Sequence, residues 1–146
     1  MGARELRVQR LHADARLPIR AHDDDAGYDL CAIAAARLAP GQRATIPTGI
    51  AIELPAGHAG LVLARSGLAA RHGIAIVNAP GLIDAGYRGE LKVLLLNTDR
   101  EASFEVSPGD RIAQLVIVAV AMPQIVEADA LLVTARGDGG LGSSGT

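Results

Sequence analysis

The sequence predicts an all-β sandwich or barrel. Glycine or proline interrupts the 146-residue chain roughly every eight to twelve residues, and short runs rich in Val, Ile and Leu lie between these breaks. The chain has no Trp, one Phe and two Tyr, so aliphatic side chains must form its core. A chain of this length is most simply one domain.

Nine β-strands are predicted from the apolar runs, each bounded by turn residues or by a change of pattern. They lie at residues 6–11, 28–32, 42–47, 50–53, 59–64, 74–78, 89–97, 104–106 and 111–121. One short helix of about two turns is predicted in the segment SGLAARHG. Ser66 is expected to cap its first turn, and Gly73 supplies the left-handed stop.

The last residues of the chain differ in composition from the rest. The segment GDGGLGSSGT contains five glycines and little apolar surface, so it cannot bury a core of its own. We therefore divide the chain into a β-domain at residues 1–132 and a mobile glycine-rich arm at residues 133–146.

Composition argues against several classes of partner. The net charge is −2 and no long basic run exists, which disfavours binding to nucleic acid or to an anionic membrane. The longest apolar stretch, residues 115–122, has the length of a strand and not of a membrane span. Cys31 is the single cysteine and is expected to be a packing residue, and the N-terminus shows no signal peptide. A cytoplasmic protein is expected.

The segment GLIDAGYRGE at 81–90 has two interpretations. In the first it is a solvated hairpin turn whose glycines supply positive φ angles. In the second its side chains carry chemistry. Asp84 lies between the apolar Ile83 and Ala85, where a carboxylate could take a proton from a water molecule. The ring of Tyr87 could pack against a sugar or a base.

Other polar residues also allow two interpretations each. Arg65 and Ser66 at the start of the predicted helix could bind an anion, or Ser66 could be only a cap. Gln114, the only polar residue inside its strand, could face a ligand or bond to neighbouring backbone. Asp29 could cap a turn or bind a metal or a metal-bound water. The arm at 136–146 could cradle phosphates or be a disordered linker.

Taken in order, five of these stretches resemble the five motifs of the trimeric dUTPases, the deoxyuridine 5'-triphosphate nucleotidohydrolases. They are AGYDLCA, ARSGLAA, GLIDAGYRGE, GDRIAQLV and RGDGGLGSSGT. The resemblance implies a distorted jelly roll with one short helix and a flexible C-terminal arm. It also implies Mg²⁺-dependent hydrolysis of dUTP to dUMP and pyrophosphate, which limits uracil incorporation into DNA and supplies dUMP for dTMP synthesis.

The same resemblance implies roles for the residues of the third motif. This motif forms a β-hairpin that admits uracil, and Asp84 orients and activates the attacking water. Tyr87 packs under the deoxyribose and leaves no space for a 2'-hydroxyl. The substrate-contacting residues around this slot are Asn78, Leu82, Ile83 and Lys92.

The remaining motifs are implied to bind the triphosphate. Gln114 contacts the α-phosphate, Asp29 holds waters of the Mg²⁺, and Arg136 clamps the γ-phosphate. The phosphate chain lies on Arg65, Ser66 and Gly67. The arm closes a site formed by other subunits of a homotrimer, and its further residues at the nucleotide are Gly139, Gly140, Leu141, Ser143 and Ser144.

The chain departs from the family pattern at two positions. Leu141 stands where the family usually has an aromatic ring over the uracil, and leucine offers dispersion but no π-face. We therefore expect normal chemistry with looser closure of the arm. Ala64 replaces a common proline before Arg65, which relaxes that turn without removing a ligand contact.

Two alternatives remain open from the sequence. A dCTP deaminase, or a bifunctional deaminase and dUTPase, shares this fold but needs an acid/base group beside the pyrimidine amine. A non-catalytic β-trimer that senses nucleotide is the second alternative. The presence of Asp84, Gln114 and Arg136 together favours a hydrolase, because a silent module does not need a water-activating carboxylate.

Overall fold

The computed structural model describes residues 5–145, and within this range it contains eleven β-strands and one α-helix. The strands are β1 (Arg7–Arg10), β2 (Tyr28–Cys31), β3 (Ala36–Leu38), β4 (Arg43–Pro47), β5 (Ile50–Glu53), β6 (His58–Leu63), β7 (Ile74–Ile76), β8 (Gly81–Ile83), β9 (Lys92–Asn97), β10 (Phe104–Val106) and β11 (Arg111–Ala119). The helix α1 is Ser66–His72. The predicted all-β class is confirmed.

The strands form small antiparallel sheets around a shared core. The largest sheet has the order β2-β11-β6-β8, and a second has the order β4-β9-β7. The other two sheets within the described residues are strand pairs, β1 with β5 and β10 with β3. Strand β11, nine residues long, pairs on both of its edges.

The core is aliphatic, as the composition predicts. In β9 the side chains of Val93, Leu95 and Asn97 point inward and alternate with less buried neighbours, which is the period expected of a half-buried strand. Each fully buried aliphatic side chain contributes roughly 1.5–3 kcal/mol relative to an exposed one. The largest fully buried apolar side chains of the cluster are Leu30, Leu38, Ile46, Ile50, Leu91, Val93, Leu95, Val106, Ile112 and Leu115.

The nine predicted strands are all present, with ends displaced by up to three residues. The largest change is at β9, which begins at Lys92 and not at residue 89. Strands β3 and β8, of three residues each, were not predicted.

The third motif is not a simple two-stranded turn. Strand β7 pairs with β9, but β8 leaves this pair and binds the edge of β6. The prediction that Gly81, Gly86 and Gly89 supply positive φ angles is wrong, since none of the three lies in that region. At position 81 a Cβ atom would lie 3.2 Å from the Cβ of Val62, so glycine there permits close packing of β8 on β6.

Helix α1 and its N-cap each begin one residue earlier than predicted. Arg65 is the N-cap with an extended backbone, and no side chain hydrogen-bonds the first turn. The prediction of Ser66 as N-cap is therefore wrong, because Ser66 is already the first helical residue. Gly73 ends the helix in the left-handed region with φ 64°, as predicted.

The segment after β11 extends away from the core. Residues 120–145 contain neither helix nor strand, and their side chains are almost all exposed in the single chain. This exposure includes Ile125 at 90%, Leu132 at 95% and Val133 at 98%. Across residues 5–145, no helix has both the length and the apolar character needed to span a membrane.

Asn97 is a buried polar residue whose side chain joins two segments of the chain. Its Nδ2 atom donates to the carbonyls of Leu38 and Ala102 at 3.0 and 2.9 Å, and its Oδ1 atom accepts from the amide of Asp99 at 2.9 Å. The side chain is completely buried. It therefore joins the end of β3 to the turn between β9 and β10.

We expect Asn97→Asp to lower the free energy of unfolding by at least about 1–3 kcal/mol, because two buried carbonyls lose their donor. The loss should shrink at mildly acidic pH, since a protonated carboxyl can donate one hydrogen bond. Urea unfolding at one protein concentration and two pH values measures both effects. Asn78→Asp, at the other and exposed asparagine, is the matched control, and equal midpoints for the two variants would contradict the assignment.

Candidate active site

Strand β11 places residues of three sequence motifs at one cleft, here called the charged cleft. Gln114 is paired with Asp29 of β2 on one side and with Leu63 of β6 on the other. Arg65 follows Leu63 by two residues, at the start of α1. The polar residues that line this cleft of about 500 Å³ are Asp25, Asp29, Arg65, Ser66, Arg111 and Gln114, and Gly67 also lines it.

Asp29 is held by two arginines. Its Oδ1 lies 3.4 Å from Nε of Arg65, and its Oδ2 lies 3.4 Å from Nη1 of Arg111. Nη1 of Arg65 also donates to the carbonyl of Arg111 at 3.2 Å. Each guanidinium has five N–H donors, so both arginines keep donors available to an anion in the cleft. Asp29 lies within strand β2 and not at a turn.

The side chain of Gln114 is oriented by backbone. Its Nε2 donates to the carbonyl of Ala64 at 2.9 Å, which leaves the amide oxygen toward Gly27. A Cβ atom at position 27 would lie 3.2 Å from Cδ of Gln114 and closer still to its oxygen. Gly27 is thus required for this orientation. The interpretation of Gln114 as an amide bonded to neighbouring backbone is confirmed. The side chain also lines the cleft, and its contact with a ligand stays a prediction.

Arg111 was not predicted as a site residue. In a regular strand, residues three apart face opposite sides, so Arg111 and Gln114 should not share a face. The pairing of β11 with β2 shifts register between Arg111 and Ala113, and Ile112 and Ala113 are both buried. This irregularity reverses the alternation and brings Arg111 to the same cleft as Gln114. No signal in the sequence indicated this irregularity, because β11 is apolar at every position except Arg111 and Gln114.

A second cleft, here called the loop cleft, contains most of the third-motif residues. Its lining residues are Thr45, Leu82, Ile83, Asp84, Tyr87, Glu90, Leu91, Lys92 and Leu94, around about 390 Å³. Asp84 is exposed, and no described residue hydrogen-bonds its carboxylate. That carboxylate can therefore accept a hydrogen bond from water. Nζ of Lys92 lies 4.0 Å from a carboxylate oxygen of Glu90, a residue that the sequence did not single out.

Other predicted residues line neither cleft. Asn78 is exposed and lies beside the start of β8, where its Nδ2 would be 3.4 Å from a Cβ at position 81. In the arm, Nε of Arg136 donates to the carbonyl of Gly139 at 2.9 Å, so this guanidinium closes a local turn. The arm residues Gly140, Leu141, Ser143 and Ser144 also lie outside both clefts.

The charged cleft and the loop cleft have no lining residue in common. Each carries a different part of the predicted chemistry: arginines and an amide in the first, a free carboxylate and an aromatic ring in the second. A single chain therefore does not present the predicted site residues around one ligand.

Within the described residues, the charged cleft does not by itself provide a complete set of ligands for a metal ion. Among residues 5–145, no group of three His, Cys, Asp or Glu side chains could hold a metal ion. Mg²⁺ is usually bound by one or two carboxylates together with waters and substrate phosphates. The Asp29 carboxylate fits this mode of Mg²⁺ binding. Cys31 is not a competing nucleophile, because burial raises the pKa of its thiol.

Comparison with known proteins decides the family. The dUTPase family profile matches residues 13–145. The chain belongs to the dUTPase family. The deoxyuridine 5'-triphosphate nucleotidohydrolase of Mycolicibacterium vanbaalenii is 55% identical over 145 residues, which cover 96% of this chain and 94% of that protein. The enzyme of the same name from Leifsonia xyli is 55% identical over 130 residues, covering 89% and 86%.

Solved dUTPase structures share the fold. A dUTPase of Staphylococcus bacteriophage 80alpha with dUpNHpp superposes with a TM-score of 0.91 at 32% identity, covering 99% of this chain and all of that one. A dUTPase of phage phi11 of S. aureus, with a coordinated structural Mg(II) ion, has a TM-score of 0.81 at 30% identity, covering 87% and 98%. The predicted family and jelly-roll fold are thereby confirmed. These similarities favour dUTP hydrolysis over the deaminase and non-catalytic alternatives.

Proposed function

We propose that this dUTPase-family chain hydrolyses dUTP to dUMP and pyrophosphate, with Asp84 as the group that activates water. The observation that carries the proposal is the exposed carboxylate of Asp84 beside the ring of Tyr87 in the loop cleft. The water oxygen bonds to the α-phosphorus as the bond to the bridging oxygen breaks. Pyrophosphate leaves with that electron pair, and Asp84 takes the proton of the water.

The loop cleft is the proposed nucleoside site. Leu82 and Ile83 flank its entrance on strand β8, where the backbone can bond to the edge of uracil. Asn78 and Lys92 are the further substrate contacts. Tyr87 packs under the deoxyribose, and its ring excludes the 2'-hydroxyl of UTP.

The charged cleft is the proposed triphosphate site. Arg65, Ser66 and Gly67 bind the phosphate chain, and Gln114 contacts the α-phosphate from β11. Arg65 and Arg111 share Asp29, so they are positioned before substrate arrives. Asp29 would hold a Mg²⁺ through its waters, and the ion would neutralise phosphate charge.

A homotrimer with shared sites is proposed for two reasons. First, the two clefts have no residue in common within one chain, whereas one dUTP needs both. Second, the segment at 122–133 leaves large apolar side chains exposed in the single chain, among them Ile125, Leu131 and Leu132. Such a surface is typical of an interface. We propose that the charged cleft of one subunit faces the loop cleft of its neighbour in the cytoplasm.

The C-terminal arm is proposed to order when nucleotide binds. Its glycines at 137 and 142 have positive φ angles, and its side chains are exposed. Arg136 would leave its local turn to clamp the γ-phosphate, and Leu141 would cover the uracil. The other arm residues proposed to contact the nucleotide are Gly139, Gly140, Ser143 and Ser144. Closure of such an arm excludes bulk water from the triphosphate.

The first test is a product assay with Mg²⁺ that supplies dUTP, dCTP, dTTP and UTP in parallel. We expect dUMP and pyrophosphate from dUTP alone, and a loss of about 10²–10⁴-fold in kcat for Asp84→Asn, the range for removal of a general base. Asp14→Asn, at an exposed aspartate outside both clefts, is the control. Deamination of dCTP, or full activity of Asp84→Asn, would exclude the proposal.

Shared sites predict complementation between two inactive variants. Asp84→Asn and Arg65→Met are each expected to be inactive alone, but random mixing of chains leaves roughly a quarter of shared sites with both residues intact. Activity should therefore reappear after the two variants are unfolded and refolded together. Each variant refolded alone is the control. If mixed oligomers form, as native mass measurement can establish, and remain inactive, both residues act within one chain.

Leu141→Phe should tighten binding of dUpNHpp without raising kcat. An aromatic ring over a base adds about 0.5–1.5 kcal/mol beyond its buried area, which corresponds to a few-fold to tenfold lower Kd. Titration calorimetry measures the change. Leu11→Phe, at another exposed leucine, controls for added hydrophobicity, and equal Kd values for Leu141→Phe and wild type would disprove the role of this position.

A further inference from the structure

Gly89 lies against the aromatic ring of Tyr87. A Cβ atom built at position 89 would lie 2.6 Å from Cζ and 3.0 Å from Cε2 of that ring, and closer still to its hydroxyl. Cβ atoms essentially never approach other heavy atoms within 3.0 Å. Since the φ angle of Gly89 is not in the left-handed region, the backbone does not require glycine here. The ring does.

The ring is fixed at its far end by a hydrogen bond. The Tyr87 hydroxyl donates to the carbonyl of Glu90 at 3.0 Å, and the Tyr87 amide donates to the carbonyl of Asp84 at 3.0 Å. The side chain thus folds back along its own loop and crosses residue 89. A Cβ atom at position 89 therefore requires the ring to shift from this position, which stretches or breaks the bond to Glu90.

The acceptor carbonyl belongs to a segment anchored in the core. Oε1 of Glu90 accepts from the amide of Gly49 at 2.9 Å. The carbonyl of Leu91 accepts from the hydroxyl of Thr48 at 2.6 Å, and the amide of Leu91 donates to Ile50 at 2.8 Å. Thr48 and Leu91 are both 1% exposed. These bonds to the turn between β4 and β5 leave the Glu90 carbonyl little freedom to follow a displaced ring.

We propose that Gly89 is a specificity-determining position that acts by positioning the Tyr87 ring. The inference rests on the proposed role of Tyr87 under the deoxyribose. A ring held by the Glu90 carbonyl and by the space at position 89 presents a fixed surface to the sugar. Discrimination against a 2'-hydroxyl depends on that surface, because a displaced ring no longer fills the space that the added oxygen atom would occupy.

The same loop supplies a matched control. Gly86 lies three residues earlier, also outside the left-handed region, and a Cβ atom there would have no heavy atom within 4 Å. If glycine served only to make the loop pliable, alanine at either position would have the same effect. If Gly89 serves the ring, only alanine at position 89 alters the choice of sugar.

The experiment compares kcat/KM for dUTP and UTP in Gly89→Ala, Gly86→Ala and wild type. We expect Gly86→Ala to keep the ratio of the two constants and Gly89→Ala to lower it by about tenfold to 10²-fold, since a misplacement of about 1 Å can cost up to about 10²-fold in rate. The ratio is independent of the fraction of folded enzyme, because both substrates report on the same active sites. A wild-type ratio in Gly89→Ala would overturn the proposal.

A double-mutant cycle tests whether Gly89 acts through the ring. In a Tyr87→Ala background there is no ring to displace, so Gly89→Ala should have no further effect on the ratio. An equal loss in both backgrounds would overturn the proposal. If Gly89→Ala does not fold, Tyr87→Phe is measured in its place. This change keeps the ring and removes only the hydrogen bond to the carbonyl of Glu90. The ratio should then fall, and an unchanged ratio would overturn the proposal.

The outcomes separate this inference from the proposed function. If wild type does not hydrolyse dUTP, the proposed function fails. If wild type prefers dUTP but Tyr87→Ala keeps the preference, the role of Tyr87 fails. When both hold and Gly89→Ala retains the wild-type ratio, only the inference about Gly89 is wrong.

Discussion

The register of β11 is the constraint on which the charged cleft depends. Pairing with β2 sets Gln114 opposite Asp29. Pairing with β6 sets Gln114 opposite Leu63, which precedes Arg65 by two residues. Leu115 and Ala113 are completely buried, so a slip of one residue would expose them and turn Gln114 into the core. The irregularity at Ile112 adds Arg111 to the same side. Hydrophobic burial therefore fixes the positions of four polar groups that have little contact with the core.

The loop cleft depends on a different constraint. Asp84, Tyr87 and Glu90 lie in the irregular segment between β8 and β9, and no strand register specifies where Asp84 or Tyr87 points. Buried hydrogen bonds between Leu91 and the turn at Thr48–Ile50 hold the segment in place. Buried polar bonds are directional and costly to leave unmade. They give this loop a definite shape that apolar packing alone would not.

The sequence predicts those features that depend on a period or on a motif. The apolar runs of β9 and β11 identify both strands, and five motifs in order identify the family. Strand β8 was not predicted because it lies within the glycine-rich third motif. The roles of Gly27 and Gly89 were also not predictable, because each glycine makes room for one side chain that folding brings there. Arg111 was missed for a related reason, since strict alternation places it on the opposite face.

The separation of the two clefts has a consequence for how activity relates to folding. In the proposed trimer, the carboxylate and the phosphate-binding arginines of one site come from different chains, so a folded monomer has every catalytic group and no complete site. Activity then requires association as well as folding, and the apparent stability of the active form depends on protein concentration. A substitution among the exposed apolar residues at 122–133 could therefore abolish activity while leaving both clefts of each chain intact.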